Sequence, residues 1–207
     1  MTEGFLYRLS PVPPPYSRAE IDRYMGAKRN DPATEELVEK CLSECENVLR
    51  YSLCYRIFSC KATADSVSFA GCEIPSADLA KNLAGCQKIA LIAATVGLGI
   101  DRLITKYSAI SPATALCLQA IGAERVESML DAFEEEWIKN GAMLRPRFSP
   151  GYGDFPLAFQ REIFRILDCP KTLGLTLNDS LLMSPSKSVT AVLGLLPTDR
   201  DEKGDPV

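Results

Sequence analysis

The segment "LRPRFSPGYGDFPL", residues 144–157, decides how the rest of the chain is read. It lies between two strongly helical patterns, where a connector would need only a few polar residues. Instead it holds Arg145 and Arg147, three prolines and two glycines around Ser149, Tyr152 and Asp154. Proline stiffens this backbone in an extended form. Arg147 therefore presents its fork of N–H donors four residues ahead of Gly151, an arrangement suited to two-point capture of a carboxylate. Gly151 permits close backbone approach, and Tyr152 offers an aromatic face with a hydroxyl. Asp154 reads as the N-cap of a helix through Phe159, Ile163, Phe164 and Leu167, whose positive end faces the same place. The residues alone leave two readings open: a carboxylate- or phosphate-binding loop, or a rigid turn whose arginines satisfy carbonyls.

Working outward, Ser111 and Pro112 start the longest helix, which carries Leu116, Ile121, Val126, Met129, Leu130, Phe133 and Trp137 to about residue 139. Its "DAFEEEW" (131–137) puts four carboxylates on one helix, read as a solvated face. "QKIALIAATVG" (87–97) is a continuous apolar run of strand length, as for a strand buried on both faces. "LCYRIFSC" (53–60) and "SVSFAGCEI" (66–74) read as strands, and Ser76 caps a helix over about 77–84. Nearer the start, "SPVPPPY" (10–16) is extended. Ser17 with Glu20 caps a short helix stopped by Gly26, and Asp31 with Pro32 opens another bearing Leu37, Val38, Cys41, Leu42 and Cys45 on one stripe. Downstream, "SLLM" and "SVTAVLGLL" read as strands joined by "SPSK". Helices and strands mix without regular βαβ alternation, which predicts an α+β fold with an antiparallel sheet. The expected organisation is one domain over 1–196, followed by a charged, disordered tail at 197–207.

Composition excludes much chemistry. Among 207 residues there is no histidine, so no Ser-His-Asp triad, Cys-His pair or histidine-bound metal can form. The net charge of −4 argues against duplex nucleic acid or an anionic membrane as partner. Eight cysteines lack any C-x-x-C pair or zinc-finger spacing; they read as reduced, structural thiols. No basic segment followed by an apolar run opens the chain, and no run reaches the roughly 20 residues that span a bilayer, so the expected location is cytoplasmic. Gly97 and Gly99 in "ATVGLGID" sit between a strand and a helix, but Arg102 stands where a dinucleotide fingerprint needs its third glycine. Close packing explains both glycines better.

The stretch Arg147-Phe148-Ser149-Pro150-Gly151-Tyr152 resembles the R-P-A-P-G-Y loop of the activation domain of vitamin B12-dependent methionine synthase, matching at Arg, Pro, Gly and Tyr. Downstream, Gly174, Leu177, Ser180, Met183, Pro185, Ser188 and Val189 match that family's next signature, G-x-x-L-x-E-S-x-x-M-x-P-x-x-S-V, with Asp179 in place of Glu. The similarity is strongest over about residues 120–195. Residues 17–110 look like the N-terminal half of free-standing members.

The resemblance implies a single C-shaped domain with a long, twisted, mainly antiparallel sheet flanked by helices. It also implies a role as an accessory subunit in reductive reactivation of a cobalamin-dependent methionine synthase or related corrinoid methyltransferase, rather than as a stand-alone catalyst. S-adenosylmethionine would be the ligand. Cobalamin would arrive on a partner protein, and a flavodoxin-type donor would supply the electron. By position, Arg147 would hold the methionyl carboxylate, backbone at Ser149 and Gly151 would line the ligand, and Tyr152 would face the corrin. No catalytic residue and no metal ligand is implied. The family's Tyr-Tyr strand beyond the second signature has no counterpart here, nor does its Asp-Trp near the start; the only tryptophan is Trp137. These departures suit an alternative, a binding module that kept the fold but lost the ligand and acts in protein interaction or as a corrinoid chaperone. An independent S-adenosylmethionine enzyme is a third reading, against which the lack of an acid–base pair counts.

Overall fold

The apolar run at 87–97 forms the strand on which the molecule is built. In the computed structural model, which describes residues 4–27 and 31–198, the elements in chain order are β1 (Tyr7–Leu9), α1 (Arg18–Met25), α2 (Pro32–Cys45), β2 (Ser52–Ala62), β3 (Ser66–Phe69), β4 (Cys72–Pro75), α3 (Ala77–Asn82), β5 (Lys88–Thr95), α4 (Leu98–Ser108), α5 (Pro112–Lys139), β6 (Met143–Leu144), α6 (Gln160–Leu167), α7 (Cys169–Leu173), β7 (Thr176–Leu177), β8 (Met183–Ser184) and β9 (Ser188–Leu196). The main sheet runs β4-β3-β2-β5-β9-β6, with β1 alongside β2. Every strand pairing is antiparallel.

Strand β5 lies between β2 and β9 and is buried on both faces, as its unbroken apolar run predicts. Its side chains alternate. Ala90, Ile92 and Ala94 enter one core with Leu53, Leu193 and the inner faces of α2, α4 and α5. Ile89, Leu91 and Ala93 enter the other, with Leu79 from α3, Leu83 at its C-cap, and Ile163, Phe164 and Leu167 from α6. The sheet is thus covered by helices on each side, an α+β layering of mainly antiparallel strands. Four caps form as the sequence predicts: Ser17, Asp31, Ser76 and Ser111 each accept the N–H three residues on.

Three expectations need correction. Residues 66–74 do not form one strand; Ala70 and Gly71, both at positive φ, turn the chain back as the β3–β4 hairpin. Met183 of "SLLM" pairs with Leu177, not with the following strand, so residues 176–184 make their own small hairpin. Asp154 does not cap its own helix, as described below. The tail predicted at 197–207 falls largely outside the described residues.

Gly97 and Gly99 lie where close packing requires them. A Cβ on Gly97 would stand 3.1 Å from the Arg50 side chain, and one on Gly99 would collide with the Val48 carbonyl. The loop leading into β2 therefore crosses directly over the start of α4. All eight cysteines are free; seven are buried and Cys72 is half-buried. Burial pushes the thiols of Cys45 and Cys60 up, to about 12 and about 11, which suits inert packing groups.

The middle of α5 holds one buried ionic element. Glu124 and Arg125 are each 1% exposed. Arg125 donates to the carbonyls of Pro14 (2.7 Å) and Pro15 (3.3 Å) and lies 4.0 Å over the Tyr16 ring, while Glu124 accepts from the Ser17 N–H (3.0 Å) and the Ser128 hydroxyl (2.6 Å). The extended "VPPPY" segment is thereby fastened across α5. Burial pushes the Tyr16 phenol up to about 12.

Candidate functional site

Residues 143–155 bridge the two faces of the sheet at its β9 edge. The segment begins as β6, pairing Met143 with Leu196 and Leu144 with Leu195. Arg145 continues the ladder by donating its N–H to Gly194 (2.9 Å), and the next ladder pair is Phe148 with Val192, bonded at 2.9 and 2.8 Å. From Arg145 to Phe148 is three steps, whereas Gly194 to Val192 is two. The loop therefore carries one extra residue, a bulge, and a bulge re-aims the side chains beside it. Without it, Arg145 and Arg147 would share a face. With it, Arg145 stays beside Leu83 and Cys86 on the α3 side, and Arg147 turns to α5.

The two arginines consequently differ in kind. Arg145 donates from Nη2 to the Ala84 carbonyl at 2.8 Å. From its place before Pro146, outside the motif, Arg145 would be expected to pair with a nearby acidic side chain; among the described residues it meets this carbonyl instead. Arg147 instead is the acid-paired one: Nη2 lies 3.0 Å from Glu127 and 2.7 Å from Asp131, and Nη1 bonds Glu134. Residues 127, 131 and 134 are spaced by four and three, so they line one face of α5. Two of the four carboxylates of "DAFEEEW" are thus the guanidinium's partners, and one of them, Glu134, does not belong to a solvated face. Side-chain exposure is 17% for Arg147 and 18% for Glu134, against 43% for Glu127 and 62% for Asp131. Burial pushes the Glu134 carboxyl above its ordinary value although Arg147 pulls it down. For Arg147, burial acts to lower the pKa, but the carboxylates of Asp131 and Glu134 carry it well above the usual range.

Beyond Phe148 the loop tightens. The Tyr152 N–H donates to the Ser149 carbonyl (3.1 Å), the Gly151 N–H to the Phe155 carbonyl (2.8 Å), and the Phe155 N–H to the Tyr152 carbonyl (2.9 Å). Gly151, at φ 95°, sits in backbone that favours glycine, and an added Cβ would meet Leu157 at 3.3 Å. Tyr152 is 65% exposed, its ring 6.4 Å from that of Phe148. Phe155 is buried with Phe148 and Phe159.

The far end is fixed by reciprocal capping. Asp154 accepts from the N–H groups of Ala77 (2.7 Å) and Asp78 (3.2 Å) and from the Ser76 hydroxyl, while Asp78 accepts the Asp154 N–H (3.2 Å). The Ser76 hydroxyl and these amides hold the Asp154 carboxyl below its ordinary range. Asp154 therefore caps α3, whose first residue lies 77 positions earlier in sequence, and the helix that follows it starts only at Gln160 after a 3-10 turn at Leu157–Phe159.

The second stretch, 174–189, reaches β9 from its other end. Gly174, at φ 69°, ends α7. Ser186 donates its N–H (2.7 Å) and hydroxyl (2.5 Å) to Asp101 of α4, and the Ser188 hydroxyl contacts Thr95 at 2.9 Å. Lys187 runs over Gly122 of α5, where a Cβ would come within 2.8 Å of it. Both matched motifs thus flank β9 and pack against α5. The residues that sequence reasoning missed are Glu127, Asp131 and Glu134. Their four-three spacing was the available signal, but only the bulge shows which arginine it serves.

This geometry holds a guanidinium already paired with three carboxylates, on a loop that also carries an exposed aromatic side chain, Tyr152. No family model matches the chain. No curated protein matches it either. Among the described residues, no helix is long and apolar enough to cross a membrane. The crystal structure of the MetH reactivation domain bound to AdoHcy aligns over 96% of this chain and 80% of that one, with a TM-score of 0.64 and 14% sequence identity. At that identity the likeness is one of fold: this chain is similar in architecture to the MetH reactivation domain.

Proposed function

We propose that the protein is an accessory subunit in the reductive reactivation of a cobalamin-dependent methionine synthase or related corrinoid methyltransferase, holding S-adenosylmethionine at the loop 147–152 over cobalamin carried by a partner. The observation that carries this reading is the loop itself: Arg147, the Ser149–Gly151 turn and Tyr152 occupy one braced segment on a fold shared with a domain crystallised with AdoHcy. S-adenosylmethionine combines a carboxylate with ammonium and sulfonium charges. The residues fit such a group, since a guanidinium and three carboxylates stand together.

The bound ligand would supply a methyl group on a sulfonium. The chain's own part is positioning, which can contribute several kcal/mol through proximity alone. Arg147 would orient the methionyl end, the backbone of Ser149 and Gly151 would line the ligand, and exposed Tyr152 would meet the partner's corrin. No general base is needed, and the chain has no histidine to serve as one.

The alternative is a binding module that kept the fold without the ligand. One observation favours it: the Nη2 hydrogens of Arg147 already bond Glu127 and Asp131. Calorimetry with S-adenosylmethionine separates the two. The first reading expects affinity between micromolar and millimolar, about 4–8 kcal/mol. Silence at millimolar ligand selects the second.

A further inference from the structure

A guanidinium can grip a carboxylate at two points along either of two edges, Nε with Nη2 or Nη1 with Nη2. Both edges use Nη2. In Arg147 that nitrogen bonds Glu127 Oε2 at 3.0 Å and Asp131 Oδ1 at 2.7 Å, so neither edge is open, while Nη1 is held by Glu134. The three acids are not equivalent. Glu134 is 18% exposed, whereas Glu127 and Asp131 are 43% and 62% exposed; of the two on Nη2, Glu127 makes the longer and weaker contact, 3.0 Å against 2.7 Å.

We propose that Glu127 is a displaceable mask on Arg147, which an incoming carboxylate must push aside, and that Glu134 is the anchor that keeps the guanidinium in place during the exchange. This rests on the reading of Arg147 as a ligand residue and adds its regulation. Binding becomes the replacement of one carboxylate by another on Nη2, with Glu127 swinging into solvent. An exposed ion pair is weak enough for this. The charge balance also favours it: one guanidinium among three carboxylates gains little from the third. Glu127 and Glu134 are therefore positioning residues of opposite sign.

Two measurements on the full chain, with wild type, Glu127→Gln and Glu134→Gln, test the pair of roles. The first is calorimetric titration with S-adenosylmethionine. Glu127→Gln should tighten binding roughly two- to fivefold, the scale of one exposed ion pair, and Glu134→Gln should weaken it. The second needs no ligand: the rate at which phenylglyoxal, an arginine-directed dicarbonyl, modifies Arg147, followed by peptide mass spectrometry. Glu127→Gln should raise that rate several-fold while the melting temperature is unchanged. If Arg147 is modified no faster in Glu127→Gln, the mask is refuted, whatever the titration gives. If modification accelerates while both forms stay silent to ligand, the mask stands and the ligand reading falls. Weaker binding in both variants would also refute the mask, since Glu127 would then be a second anchor.

Discussion

Helix α5 carries two ionic sites about one to two turns apart, built from the same side-chain types and opposite in design. At Glu124–Arg125 both residues are 1% exposed, and the guanidinium's remaining donors meet the carbonyls of Pro14 and Pro15. Prolines cannot donate, so their carbonyls suit a buried donor. Charges match one to one. At Arg147 there are three carboxylates for one guanidinium, two of them more than two-fifths exposed. The first site is closed and fastens the N-terminal segment. The second is open at one side and carries surplus negative charge. Saturation with matched charge marks a structural lock; imbalance with exposure marks a site where partners can change.

That contrast is best broken at the closed site. Arg125→Met leaves Glu124 uncompensated in the core and should cost about 3–5 kcal/mol in denaturant unfolding. Replacing both residues by methionine should recover much of the loss, because no lone buried charge remains. If the single variant unfolds like wild type, the pair is not the lock described here. At the open site the expected stability effects are smaller. Burial raises the Glu134 carboxyl above 4.5, so its contribution to stability is fully present below that value and declines as pH rises through the raised one. Unfolding curves across that window should show wild type losing ground to Glu134→Gln with rising pH, by less than about 1 kcal/mol for a partly exposed group. A gain with pH would mean that Arg147, and not burial, dominates Glu134.

Much of the architecture was legible because it depends on local chemistry. The run at 87–97 announced a strand buried on both faces, and Ser17, Asp31, Ser76 and Ser111 announced four helix starts. What stayed hidden depends on contacts distant in sequence. Asp154 had the local look of a cap, yet the helix it caps begins at Ala77. Arg145 and Arg147 sit two residues apart, and nothing in "RPR" reveals that the bulge sends them to opposite faces. The burial of Glu124 and Arg125 depends on the distant Pro14–Ser17 segment. Arg125 does fall at four-residue steps between Ile121 and Met129, inside the apolar stripe, and that spacing was the missed signal. In the loop, the resemblance singled out Arg147, Ser149, Gly151 and Tyr152, but it did not point to the acids that restrain Arg147.

The smallest expected effect belongs to Arg145. Its link to the Ala84 carbonyl lies on the α3 side, so Arg145→Ala should bind S-adenosylmethionine as wild type does.

The comparison of Arg147→Ala with Arg145→Ala, by calorimetric titration with S-adenosylmethionine and a thermal melt of each, tests the central claim most directly. Loss of a charge-assisted hydrogen bond costs about 1.5–3 kcal/mol, so Arg147→Ala should bind roughly 10- to 150-fold more weakly while still melting cooperatively, with Arg145→Ala unchanged. Arg147→Ala binding as tightly as wild type would contradict the account.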